Sequence, residues 1–113
     1  MPIQKWSEQI FVVELLDEPQ LSEDMEAVMD RLSRGPAMHV VLNLEKVRHM
    51  NSSHIARLLR LRAALINAER QLRLCAVPDL IWGMMITTGL DKVFHFSPDV
   101  PSALARLQLE QSA

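Results

Sequence analysis

Short apolar runs alternate along the chain with segments whose apolar residues recur every three or four positions. The run Ile10–Leu16 (IFVVELL) is rich in β-formers and is stopped by Asp17-Glu18-Pro19, which predicts a strand. Trp6 can begin an earlier extended segment over Ile3–Glu8. Leu21, Met25, Val28, Met29 and Leu32 then repeat at helical spacing. Ser22 reads as the N-cap of that helix. Glu23, Asp24 and Glu26 fall in its first turn, where the helix dipole favours negative charge, and Gly35-Pro36 closes it. Met38–Leu44 (MHVVLNL), with β-branched Val40 and Val41, suits a buried central strand. After the connector Glu45–Met50, the residues Asn51, Ser52 and Ser53 are all good caps for a long helix running to about Glu69. Ile55, Leu58, Leu59, Leu65 and Ile66 are expected to form its apolar face, with Leu61 widening it to one side. Arg62 interrupts that face and is expected to lay its apolar stem on the core edge. Arg57, Arg60 and Glu69 fall on more exposed flanks.

The second half repeats the alternation. Leu72–Val77 reads as a strand, and Pro78 as the first residue of a short helix carrying Leu80, Ile81, Met84 and Met85. Thr87-Thr88-Gly89 ends it, with Gly89 as a left-handed terminator. Val93–Phe96 is expected as a last short strand. Ser97-Pro98-Asp99 is a turn, and Ser102–Gln108 forms a C-terminal helix through Leu104 and Leu107. The order β-α-β-α-β-α-β-α predicts an α/β fold: a four- to five-stranded, largely parallel sheet with about four helices packed on it.

Length and charge narrow the function classes. A chain of 113 residues fits one domain, and 12 Lys and Arg against 14 Asp and Glu leave a net charge of −2. Bulk charge therefore gives no basis for binding nucleic acid or a membrane surface. The single cysteine, Cys75, excludes an internal disulfide and a cysteine-rich zinc site. It lies in an expected strand, where cysteine acts as a small apolar residue. His39, His49, His54 and His95 are too scattered for a metal-ligand spacing, so no metal or other cofactor is expected. No apolar run approaches the ~20 residues needed to span a bilayer. Met1 to Gln9 lacks the apolar stretch of a signal peptide, so a cytoplasmic protein is expected, and the Asn51-Ser52-Ser53 sequon is read as unglycosylated. Met25, Met29, Met84 and Met85 are expected in the core. The arginines Arg57, Arg60, Arg62 and Arg70 form either a solvated helix face or a basic flank.

The sharpest local feature is Met50-Asn51-Ser52-Ser53-His54, where a strand's connector meets a helix start. Hydroxyls there sit among unpaired N–H groups at the positive end of the dipole, which would also stabilise a phosphate. The same residues can equally serve only as caps. His49 and His54 flank the turn, so a hydrolase would pair Ser52 with one of them. The chain has no G-x-S-x-G elbow, no phosphate-binding glycine loop and no identifiable carboxylate to orient either histidine.

Val40-Val41-Leu42-Asn43-Leu44, the connector, Met50-Asn51-Ser52-Ser53 and the helix that follows resemble the STAS domain of bacterial anti-sigma-factor antagonists. In that family a buried strand leads to Asp-Ser-Ser/Thr-Gly-Leu-Gly at a helix start. Leu74-Cys75-Ala76-Val77, Ile86-Thr87-Thr88-Gly89-Leu90 and Val93-Phe94 resemble later family segments in the same order, so the likeness runs from about Ile10 to Leu109. The resemblance implies a single non-enzymatic domain that binds a serine-kinase anti-sigma factor and so releases sigma. The kinase would phosphorylate Ser52, with Ser53 as the alternative acceptor, and a phosphatase would restore binding. Glu18, Asn51, Ser52, Ser53, His54 and Arg57 are the implied partner-binding residues. The pattern is departed from in three respects: Asn51 replaces the family Asp, His54 and Ala56 replace its glycines, and Asp17-Glu18-Pro19-Gln20 replaces its Gly-Glu-Leu/Ile-Asp turn. They leave two alternatives open, a scaffold that binds its partner without phosphorylation and a small-ligand sensor. A homodimer through the helix over Ile55–Ile66 is also left open.

Overall fold

A computed structural model describes residues 3–112, with side chains through residue 110. Strands β1 (Ile3–Ser7), β2 (Ile10–Glu14), β3 (His39–Asn43), β4 (Leu72–Cys75) and β5 (His95–Ser97) form one sheet in that spatial order. β1 and β2 make an antiparallel hairpin, and β2 through β5 run parallel. Helices α1 (Gln20–Arg34), α2 (Ser52–Asn67), α3 (Asp79–Thr88) and α4 (Val100–Ser112) supply the crossovers and the C-terminal element.

An alternation hidden inside the apolar runs assigns the layers. In β3, Val40 and Leu42 join Phe11, Val13, Leu72 and Leu74 in the larger core, where α1 adds Leu21, Met25 and Val28 and α2 adds Leu58, Leu61 and Leu65. α3 closes that layer with Ile81 and Met85. Val41 points the other way, into a smaller core with Ile10, Cys75 and the α4 residues Ala103, Leu104 and Leu107. β3 is covered on both faces, which is why its sequence reads as an uninterrupted apolar run. Each fully buried aliphatic side chain here contributes about 1.5–3 kcal/mol. At the sheet's edge Trp82 of α3 meets Phe96 of β5 edge-on, with ring centroids 4.8 Å apart.

Several boundaries and faces differ from the sequence expectation. β1 falls within the extended segment read over Ile3–Glu8 and ends one residue sooner, at Ser7. β2 stops at Glu14, although Leu15 remains buried. Ser22 lies inside α1, which starts at Gln20. α2 ends at Asn67, and Glu69 follows in the left-handed region at φ 59°. Pro78 is the cap of α3, one position before its first turn. Gly89 ends that helix at φ 77°, as the sequence predicts. A 3-10 turn at Leu90–Lys92 displaces the last strand to His95–Ser97, and α4 extends beyond both expected ends. The largest correction concerns α2. Its buried stripe is His54, Leu58, Leu61 and Leu65, while Leu59 and Ile66 are exposed. On the flank between them Arg62 Nε donates to the Val93 carbonyl at 3.1 Å, so the guanidinium is bonded at the core's margin.

Leu61→Ala is expected to cost about 2–5 kcal/mol, because it empties a fully buried site, and Leu59→Ala less than about 1 kcal/mol. Chemical denaturation of the two variants checks this, and equal losses would return the helix face to the one read from the sequence.

Candidate functional site

The parallel strands β2, β3 and β4 all end at one edge of the sheet, where the loops leading into α1, α2 and α3 emerge together. In open α/β sheets that edge is where crevices form. Carboxylates bind two of these loops to each other. Asp17 Oδ1 accepts the backbone N–H groups of Arg48 at 2.8 Å and His49 at 3.1 Å, and those bonds hold its carboxyl below the usual range. The neighbouring Glu18 accepts the Ser22 N–H at 2.7 Å and the Ser22 hydroxyl at 2.5 Å. Those bonds, with a smaller contribution from His54, bring the Glu18 pKa down to about 2. The expected roles are thus reversed at α1: Ser22 donates, and the Glu18 carboxylate satisfies the helix start.

The start of α2 is fixed by a reciprocal cap. Asn51 Oδ1 accepts the His54 N–H, and His54 Nδ1 accepts the Asn51 N–H, each at 3.1 Å. Because Nδ1 accepts, the ring proton lies on Nε2, 3.3 Å from Glu18 Oε2. His54 is only 6% exposed, so its ring is the joint between the two loops. Both nitrogens are occupied, which removes His54 as a base for Ser52. No hydrogen bond connects His49 to either serine.

Ser52 opens α2 directly after this cap. Ser52 and Ser53 are both exposed, and among the described residues neither hydroxyl has a hydrogen-bond partner. Their N–H groups belong to the unpaired first turn. Beside them a cleft of about 350 Å³ separates the β3–α2 loop from α3, with Arg48 and His49 on one wall and Leu80 and Met84 on the other. Glu18, Asn51, Ser52, Ser53 and His54 therefore gather at one place, and Arg57 lies half-buried one turn further along α2. Asp17, Ser22 and the cleft were not legible as parts of this site. The one available signal was Asn51-x-x-His54, which has the spacing of a capping box with histidine in the reciprocal position.

Residues 10–103 match the model of the STAS domain. The chain belongs to the STAS domain family. Two solved structures share the fold over nearly the whole of both chains. One is a Thermotoga maritima protein assigned as an anti-sigma-factor antagonist, with a TM-score of 0.81 and 14% identity over 95% of this chain and 93% of that one. The other is an anti-sigma-factor antagonist (STAS) domain protein from Planctomyces limnophilus, with a TM-score of 0.79 and 19% identity over 94% and 97%. A search of curated proteins gives no match. The STAS assignment accounts for the mixed five-stranded sheet with its four helices. Among the described residues no helix is long and apolar enough to cross a membrane.

Two outcomes follow for the STAS site. Asn51→Ala is expected to lower stability by about 1 kcal/mol through loss of the cap, while Asn51→Asp retains it, as urea denaturation would show. Glu18 contributes stability because its pKa is depressed on folding, so the contribution is complete above the ordinary value of 4.5 and fades as pH falls toward about 2. The stability gap between wild type and Glu18→Gln should shrink across that window. A gap unchanged at its lower end would mean that the charge of Glu18 plays no part.

Proposed function

We propose that this STAS domain is an anti-sigma-factor antagonist, a cytoplasmic binding switch. The start of α2 docks on a serine-kinase anti-sigma factor, and phosphorylation of Ser52 ends the complex until a phosphatase reverses it. The observation that carries the reading is the exposed, unbonded Ser52 hydroxyl at the first position of a helix whose entry is fixed on both sides. Such a hydroxyl can enter a kinase active site without breaking an internal bond. A phosphate there would add about −1.5 to −2 charges beside the unpaired first-turn N–H groups. The fold would tolerate it, while a partner seated over the turn would meet new repulsion and a desolvation cost. Leu59, exposed two turns further along α2, offers apolar area on the same helix.

The departures from the family pattern are compatible with this role. His54 stands where the family has glycine, but its ring is turned inward onto Glu18 and leaves the space over Ser52 open. Asn51 supplies the cap that the family aspartate would supply, without the negative charge. The missing carboxylate beside the acceptor is the observation that favours the second reading, a scaffold that binds its partner constitutively.

Binding of the cognate kinase-type anti-sigma factor to wild type, Ser52→Ala and Ser52→Asp, measured by calorimetry, separates the two. The switch predicts near-wild-type affinity for Ser52→Ala and a loss of roughly tenfold or more for Ser52→Asp, about 1.4 kcal/mol. It also predicts that kinase and ATP add one phosphate to Ser52. Equal binding of both variants, with Ser52 unmodified, would establish the constitutive scaffold instead.

A further inference from the structure

At the opposite edge of the sheet, where β3 and β4 begin, a second cavity of about 310 Å³ opens among Gln9, His39, Arg70, Gln71, Leu107 and Glu110. We infer that this cavity binds a small organic carboxylate. His39 is 9% exposed, and its Nδ1 accepts the Gln71 N–H at 2.9 Å. The ring proton therefore lies on Nε2, which has no hydrogen-bond partner among the described residues. Burial pushes the His39 pKa down, so the ring stays a neutral donor. The Arg70 guanidinium is already oriented, with Nε donating to the Ala37 carbonyl at 3.3 Å and Nη1 to the Glu69 carbonyl at 3.0 Å. Among the described residues its Nη2 has no partner and Arg70 forms no ion pair. Glu69, whose carbonyl sets that orientation, holds the left-handed φ of 59°, a costly conformation for a residue with a side chain.

The charge pattern selects the anion. Glu110 accepts from Gln71 Nε2, from Arg73 Nη2 at 3.2 Å and from Arg106 Nε at 3.4 Å, and is held ionised by these bonds. Its charge is thus answered by Arg73 and Arg106, and with Arg70 against Glu69 the three arginines and two glutamates of this group leave one positive charge in excess. The polar group is also under-satisfied, since Arg73 Nε is buried without a partner. A guanidinium N–H and an imidazole N–H on one cavity match the two oxygens of a carboxylate. The carboxylates of Glu69 and Glu110 on the walls disfavour a dianion such as phosphate. Leu107 offers an apolar surface to a short aliphatic body.

The test is a titration of isotope-labelled protein with sodium butyrate at constant ionic strength, followed by NMR, with sodium phosphate and sodium chloride as comparisons. Butyrate should saturably shift the signals of His39, Arg70 and Gln71, and should bind more tightly than phosphate or chloride. Arg70→Met and His39→Asn should each weaken it by roughly tenfold or more, the loss expected for one charge-assisted hydrogen bond. Asparagine can still accept the Gln71 N–H, and Arg70 is only half-buried, so its variant decides the outcome if His39→Asn unfolds. Unsaturable shifts, tighter binding of phosphate, or wild-type affinity in folded Arg70→Met would overturn the assignment.

Discussion

Asp17 and Glu18 are adjacent in the loop after β2, yet each carboxylate holds a different piece of the loop after β3, and the placement of Ser52 depends on that pair. Asp17 gathers the Arg48 and His49 amides, which sets the path of the connector. Glu18 takes the amide and hydroxyl of Ser22 on one side and faces the His54 ring on the other, so one carboxylate serves the starts of both α1 and α2. Backbone amides at loop and helix starts are obligatory donors that must find acceptors. Two carboxylates at the carboxyl edge of a parallel sheet satisfy several of them at once. Ser52 is left at a position fixed from both sides while its own hydroxyl stays unengaged.

Asn51 and His54 are best understood as one coupled substitution within the STAS pattern. A histidine at the third helical position needs an acceptor for Nε2–H and a donor for Nδ1. Glu18 supplies the first and the Asn51 amide the second. The side chain at position 51 accepts the His54 backbone N–H, while the ring is met by the residue-51 backbone N–H, so an aspartate there would form the same cap. Asparagine makes that cap without adding a negative charge beside Ser52. The ring also fills buried space between the two loops that a glycine would leave empty, so the entry to α2 is held by side-chain packing as well as by backbone geometry.

The fold was largely legible because its strongest signals are local. The β3 run, the helical repeat from Leu21 to Leu32 and Gly89 each specify their own backbone. The STAS resemblance was carried by residues that lie together in one loop. Long-range effects were not legible. Leu59 and Leu61 are equivalent as letters, and which of them faces the core depends on how α2 is rolled against the sheet, where Leu61 joins the buried stripe with Leu58 and Leu65. Ser22 is a good cap residue by type, but its amide and hydroxyl are claimed by a Glu18 that no cap rule connects with it. β1 is a partly exposed edge strand that lacks a long apolar run. The group of His39, Gln71, Arg73 and Glu110 is scattered over most of the chain, and its arginine is concealed in the apolar string Leu72–Cys75.

That concealed arginine bears on how the domain uses its two edges. Arg73 is 7% exposed on the face that α4 covers, where its neighbours Val41 and Cys75 are apolar. Burying a guanidinium such as that of Arg73, whose partner Glu110 is itself exposed, seldom stabilises a fold more than a well-packed apolar side chain of the same volume. The pair is also incompletely satisfied, since Arg73 Nε has no partner. Packing stability alone therefore does not account for a guanidinium in the middle of this layer. Cys75, one step along the same face, shows the ordinary solution, a buried thiol whose pKa is pushed up to about 11 and which stays neutral. The polar group at the amino edge is better explained by what it holds than by what it stabilises. It anchors the last turn of α4 through Glu110 and presents the free donors of His39 and Arg70 to a cavity. The STAS sheet thus carries an open hydroxyl at its carboxyl edge and a donor-rich cavity at its amino edge, with β3 and β4 running between them.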